Sequence, residues 1–189
     1  MSQSLKRGIG RNLRYGIDVD GVLANFVGGF STQIAEFGYT INPDSWGLGL
    51  TKEQEQTGWD MVTANLNFWT GLDVLNQFPH EKVKLTDVVY FITKRKQTPG
   101  RSTDRETALW LRDKQGIELP TVLAIPNKGE VCRALKVEAF IDDKPENCWD
   151  VMDESPATKV FLMNQPWNQW DTRVTRVYTL EEFFDRAQG

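Results

Sequence analysis

Apolar residues in this chain gather into five short, nearly continuous runs, each closed by polar ones. They are LRYGIDVD (13–20), DVVYFIT (87–93), TVLAIP (121–126), EAFIDD (138–143) and KVFLMN (159–164). Runs of this length, rich in Val, Ile, Phe and Tyr, predict strands buried on both faces, as in a parallel sheet. RVYTL (176–180) is shorter and predicts a sixth strand.

Between the runs the apolar spacing turns helical. STDRETALWLRDKQG (102–116) carries Thr103 and Glu106 at capping-box spacing and ends on Gly116. PNKGEVCRALK (126–136) places Val131, Cys132 and Leu135 on one face, with Asn127 as N-cap. KPENCWDVMDE (144–154) opens with Pro145 in its first turn. This alternation predicts a Rossmann-like, doubly wound α/β fold.

The alternation breaks once. More than sixty residues separate Asp20 from the second run, far more than one crossover helix needs. VGGFSTQIAEFG (27–38) predicts a helix. TKEQEQTGWDMVTANL (51–66) predicts another, with Thr51 and Gln54 as a capping box and Trp59, Val62 and Leu66 on one face. GYTINPDSWGLGL between them predicts a loop. The expected organisation is an α/β core of residues 1–27 and 86–189, with residues 28–85 inserted as a small helical cap.

Composition narrows the classes. The 189 residues are 40% hydrophobic and 25% charged, with net charge −4 and pI near 5.1. A globular protein is expected, without the basic footprint of a duplex nucleic-acid binder. No apolar stretch reaches the ~20 residues of a membrane span, and none follows MSQSLKRGIGRN as a signal peptide would require, so a cytoplasmic protein is expected. Cys132 and Cys148 have no metal-ligand spacing and are expected to be buried free thiols. One histidine, His80, makes a His-based zinc site or a Ser-His triad improbable. RGIGRNL (7–13) lacks the third glycine of a dinucleotide fingerprint and precedes its strand. The sequence leaves open whether the chain forms a homodimer.

Strands of an open parallel sheet offer ligands at their carboxyl ends. Here those ends carry Asp18 and Asp20, then Thr93, then Lys128 at the opening of a helix, then Asp142 and Asp143. Each has a bland reading: Asp-Gly is turn chemistry, Asp-Asp before a helix is capping, Thr93 is structural and Lys128 solvated. Together, in this order, they read as one site. Repelling carboxylates are tolerable around a cation, and a few hard oxygen ligands suit Mg²⁺. Thr93 and Lys128 can hold phosphate oxygens, leaving one aspartate to attack phosphorus and another to move a proton.

KRKQTPGRSTDR (94–105) holds five basic residues just beyond the second strand. It reads as a solvated loop or as the rim of a site for an anionic substrate. The aromatics Trp46, Trp59, Phe68 and Trp69 either fill the core of the helical insertion or stack a base. Trp69, in NFWTGL (67–72) between two helices, is the candidate for stacking.

With these residues in place, IDVDGVLANF resembles the first motif of the haloacid dehalogenase superfamily of phosphotransferases. FIT, PNK and FIDDKPEN resemble its second, third and fourth, and the match spans residues 13–150. GVLANF, the paired aspartates before Lys-Pro-Glu, and LMNQPWNQ (162–169) are most similar to the 5′(3′)-deoxyribonucleotidase branch. The resemblance implies a Rossmann-like core with a small cap after the first motif. It implies a Mg²⁺-dependent phosphomonoesterase acting on nucleoside monophosphates. Alternatives are the same chemistry on a sugar phosphate or a nucleic-acid 3′-phosphate end, or a phosphate-binding module without turnover.

The resemblance also implies roles. Asp18 is the nucleophile and forms an aspartyl-phosphate. Asp20 is the acid/base. Thr93 and Lys128 hold the phosphoryl group, with Lys94 nearby. Magnesium sits on the Asp18 carboxylate, the Asp20 carbonyl and Asp142, with Asp143 in the outer shell. A second basic residue is expected from the helix after the second motif, where Arg101 and Arg105 stand, and Arg105 is the candidate.

Overall fold

The computed structural model describes residues 12–42 and 49–189. Six strands form one parallel sheet: β1 (Arg14–Ile17), β2 (Val88–Thr93), β3 (Thr121–Ala124), β4 (Ala139–Asp142), β5 (Lys159–Met163) and β6 (Thr175–Val177). Their order is β3-β2-β1-β4-β5-β6. The order reverses between β1 and β4, and a crevice for ligands opens at such a switch point. Asp18 and Asp142 stand on its two sides. Register aligns them, because Ile17 pairs with Ile141 and the Asp18 N–H donates to Ile141 O at 3.0 Å.

The central strands are apolar on both faces because both are covered. Tyr15, Ile17, Ile141 and Phe161 pack with α4 (Thr103–Gln115) and α7 (Leu180–Gln188) through Trp110, Leu111, Phe183 and Phe184. Ile92 and Phe140 pack with α5 (Lys128–Leu135) and α6 (Pro145–Glu154) through Cys132 and Val151. Gly16 allows this closeness, since a Cβ there would meet Phe140 at 2.9 Å. Both cysteines are free and buried, and burial pushes the Cys132 thiol up to about 12.

The chain between β1 and β2 is helical: α1 (Phe26–Ala35), α2 (Lys52–Ala64) and α3 (Phe68–Gly71). The Thr51–Gln54 capping box forms in both directions. The two arms of the insertion meet where Asn25 N donates to Asp73 O, Leu75 N donates to Leu23 O, and Ala24 bridges Val74. Farther on, Phe78 packs on Phe91 and Phe184 of the core, and Lys82 pairs with Asp185. Trp46 lies outside the described residues.

Three local expectations change. Glu106 does not cap α4: it is fully buried and accepts from the Thr98 hydroxyl at 2.6 Å, and Ser102 takes the N-cap position. Asn127 is the N-cap of α5 but makes no side-chain bond there, and Asp150 of α6 accepts from the Gly129 N–H at 2.8 Å instead. Leu66 falls beyond the end of α2 and is half exposed, so it is no part of that helix's buried face. In the first two cases a tertiary partner replaces the local one. No helix among the described residues is long and apolar enough to cross a membrane.

Candidate active site

Asp18 and Asp20 lie just past β1, where the chain turns through Gly21 at φ +78°. A side chain at Gly21 would be strained, and its Cβ would fall 2.3 Å from Asp143 Oδ2. The turn therefore presses directly on the aspartate after β4. Lys128, the first residue of α5, is buried between two carboxylates. Its Nζ stands 2.7 Å from Asp18 Oδ1 and 2.6 Å from Asp142 Oδ2.

Asp142 and Asp143 differ sharply in surroundings. Both Asp142 oxygens are engaged: Oδ2 by Lys128, Oδ1 by the Lys144 N–H at 2.9 Å, and both by Asn147 Nδ2 at 3.0 and 3.1 Å. Asp143 Oδ2 accepts from Trp167 Nε1 at 2.9 Å, whereas its Oδ1 is buried without a hydrogen-bond partner. Ligand atoms of Asp18, Asp142 and Asp143 lie within 4.8 Å of one another. An orphaned carboxylate oxygen beside two other acids fits a hard divalent cation. By hydrogen bonding Asp143 is the more available ligand and Asp142 is spent on Lys128 and Asn147, the reverse of the order implied by resemblance.

The electrostatics follow from burial. Burial, and then the Asp142 charge, push Asp18 up to about 7 against the pull of Lys128. The same two causes push Asp143 well above the usual carboxylate range. Burial draws the Lys128 ammonium down, but Asp142 and Asp18 together outweigh it and hold the group above the usual lysine range. Lys128 thus stands as a buried cation beside the Asp18 carboxylate.

Asp20 meets a residue that sequence reasoning passed over. Arg95 Nε donates to Asp20 Oδ2 at 2.8 Å and Nη2 to Oδ1 at 2.7 Å. The Arg95 side chain is fully buried, gives Nη1 to the Thr107 hydroxyl and lies 4.6 Å above the Trp69 ring. The solvated-loop reading of 94–105 therefore fails at Arg95. The signal was alternation: in extended chain, Arg95 faces the same side as Thr93, while Lys94 and Lys96 face out. Thr93 is buried, and its Oγ1 lies 3.4 Å from Asp20 Oδ2.

Asp18, Asp20, Thr93, Arg95, Lys128 and Asp143 line one cavity of about 420 Å³, together with Lys94, Lys96, Lys144, Asn147, Phe26, Trp59 and Trp69, while Asp142 lies behind its wall. Arg105 does not line it. It is exposed on α4, and Arg95 lines the wall. Trp69 reaches the cavity but is 1% exposed, packed against Phe26 and Arg95, with Nε1 bonded to Lys96 O at 2.9 Å. Trp59 is half-buried and carries the Lys96 ammonium 4.3 Å from its ring. Of the two, Trp59 has more surface to offer a ligand.

The arrangement invites comparison with known proteins. No protein-family model and no curated protein matches the chain. Solved structures do match. A haloacid dehalogenase-superfamily hydrolase of subfamily IA from Geobacter sulfurreducens aligns over 93% of this chain and 100% of its own at TM-score 0.56 and 12% identity. The fold is that of the haloacid dehalogenase-like hydrolases. A haloacid dehalogenase-like hydrolase from Streptococcus pneumoniae aligns over 81% of this chain and 85% of its own, at TM-score 0.52 and 13% identity. A 2-haloacid dehalogenase from Pseudomonas syringae aligns over 93% and 99%, at 0.52 and 13%. In this haloacid dehalogenase-like fold, Asp18, Thr93, Lys128 and Asp143 converge at the switch point of the sheet.

Proposed function

We propose that the chain is a magnesium-dependent phosphomonoesterase that works through an aspartyl-phosphate on Asp18 and takes nucleoside monophosphates, in the manner of a 5′(3′)-deoxyribonucleotidase. One observation carries the reading: a buried, unpartnered oxygen of Asp143 stands in a carboxylate cluster with Asp18, beside a buried lysine. Asp18 and Asp143, with Asp142 behind them and the Asp20 carbonyl, would hold Mg²⁺. When bound, that ion neutralises the cluster and polarises the phosphoryl group.

The chain's own residues supply the rest. Lys128 offsets charge on the attacking Asp18 carboxylate and on the phosphoryl oxygens. Thr93 offers a hydroxyl to a phosphoryl oxygen. Asp18 attacks phosphorus while Asp20 gives a proton to the departing nucleoside oxygen. Asp20 then takes a proton from the water that cleaves the aspartyl-phosphate. Because Asp20 rests on Arg95, proton transfer is coupled to loosening of that pair. The helical insertion acts as the cap, excluding water and reading the substrate with Trp59.

A screen of phosphate release across nucleoside monophosphates, with magnesium and after chelation, tests this reading. Release that needs the metal is expected. Equal release without it, or none from any monoester, refutes it. A second reading, the 3′-phosphate of a nucleic-acid end, draws support from Lys94 and Lys96. Both are exposed at the cavity, and neither has a carboxylate partner among the described residues. Preference for a phosphorylated oligonucleotide over the mononucleotide would favour it.

A further inference from the structure

The segment Gln165–Asn168, just past β5, takes no part in the reaction above, yet it is built around one of its carboxylates. Trp167 Nε1 donates to Asp143 Oδ2 at 2.9 Å, and Asn168 Nδ2 donates to the Asp143 carbonyl at 2.8 Å. Asn168 Nδ2 also donates to Met163 O at 2.7 Å, and the Asn168 Oδ1 accepts from Arg176 Nη1 at 2.5 Å. Gln165 Nε2 reaches across to Gly21 O at 2.6 Å and ties the segment to the loop of Asp18 and Asp20. Gln165, Trp167 and Asn168 are all buried.

A carboxylate on a free Cβ–Cγ bond would swing between several orientations. Here that bond is fixed from two sides. Gly21 closes against Oδ2 so tightly that no Cβ fits between them. The indole N–H, a donor that cannot accept, holds the same oxygen. Oδ1 is left buried and unpartnered. Orienting partners of this kind raise the affinity of a metal ligand by removing the cost of ordering it on binding.

We propose that Trp167 is a positioning residue for the divalent cation, fixing Asp143 so that Oδ1 is the oxygen offered to the metal. The proposal rests on the magnesium reading above and deepens it. It also gives the 165–168 turn a purpose that β-sheet packing alone does not require.

The test is thermal unfolding of the metal-stripped full chain, titrated with MgCl₂ in the absence of substrate. Wild type is expected to gain stability with magnesium. In Trp167→Phe, which keeps a ring but loses the N–H, the magnesium midpoint should rise by about 10- to 100-fold. Trp149→Phe removes an indole N–H that serves Asp171 instead, and should leave the midpoint in place. A merely structural role for Trp167 would lower the melting temperature without magnesium and leave the midpoint unmoved, which overturns the proposal. Asn168→Ala removes the donor to the Asp143 carbonyl and should move the midpoint the same way. It stands in if the Phe variant does not fold. Absence of any magnesium effect on wild type would instead refute the magnesium reading itself.

Discussion

Asp20 and Arg95 form a two-pronged, largely buried ion pair, with Nε at 2.8 Å from one carboxylate oxygen and Nη2 at 2.7 Å from the other. The guanidinium fork matches both oxygens at once, which an ammonium cannot do. Arg95 is also wedged against Trp69 and Thr107, so the pair joins the site to the helical insertion and to α4.

Arg95→Ala should therefore lower folding stability by about 3–5 kcal/mol, because it leaves a mostly buried carboxylate uncompensated. Arg95→Lys should fall between the alanine variant and wild type. Denaturant unfolding measures both. An alanine variant as stable as wild type would show that the pair is incidental.

Asp18→Asn should abolish phosphate release. The amide is nearly isosteric but does not attack phosphorus. The same variant should change stability in a pH-dependent way. Burial, then Asp142, push the Asp18 carboxyl up to about 7 from the usual 3.8, so the folded chain holds this proton more tightly than the unfolded chain does. That favours folding fully below the unfolded value and is lost as pH rises through the folded one. Asn carries no such proton. In chelator, the variant should gain on wild type across this window, reaching on the order of 2–4 kcal/mol above neutrality. Melting temperatures of both proteins across that range, without metal, check the sign.

Asp20→Asn should slow turnover by roughly 10²- to 10⁴-fold with nucleoside leaving groups, the usual worth of a positioned proton donor. An activated aryl phosphate needs little protonation, and its burst phase should suffer far less. Equal losses in the first step for both substrates would contradict the role given to Asp20.

Trp59 and Trp69 should separate cleanly. Trp69 is fully packed, so Trp69→Ala should cost about 3–5 kcal/mol of stability and damage all substrates alike. Trp59 keeps open surface at the cavity. Trp59→Ala should weaken kcat/KM for nucleoside monophosphates by about 1–3 kcal/mol, or ~5- to 150-fold, and spare a small aryl phosphate. Paired kinetics and thermal unfolding distinguish the two patterns.

The fold was legible in the sequence because it is written in local patterns. Five doubly apolar runs, a weaker sixth and the helices between them specify a parallel, doubly wound sheet, and strand-end chemistry placed Asp18, Asp20, Thr93, Lys128, Asp142 and Asp143 near one edge. Asp18, Thr93, Lys128 and Asp143 meet there in the structure because β1 and β4 are neighbours and Lys128 opens the helix between β3 and β4. What spacing could not express was which partner wins. Glu106 reads as a cap until Thr98 folds over it, and Trp69 reads as an open platform until Phe26 and Arg95 close on it. Arg95 was hidden in a run of basic residues whose only distinguishing mark was its parity with Thr93. The unequal fates of Asp142 and Asp143 are a purely tertiary matter. β4 ends at Asp142 and the chain bends at Asp143, so one carboxylate met Lys128 and Asn147 while the other met Trp167 and kept an oxygen free of any hydrogen bond.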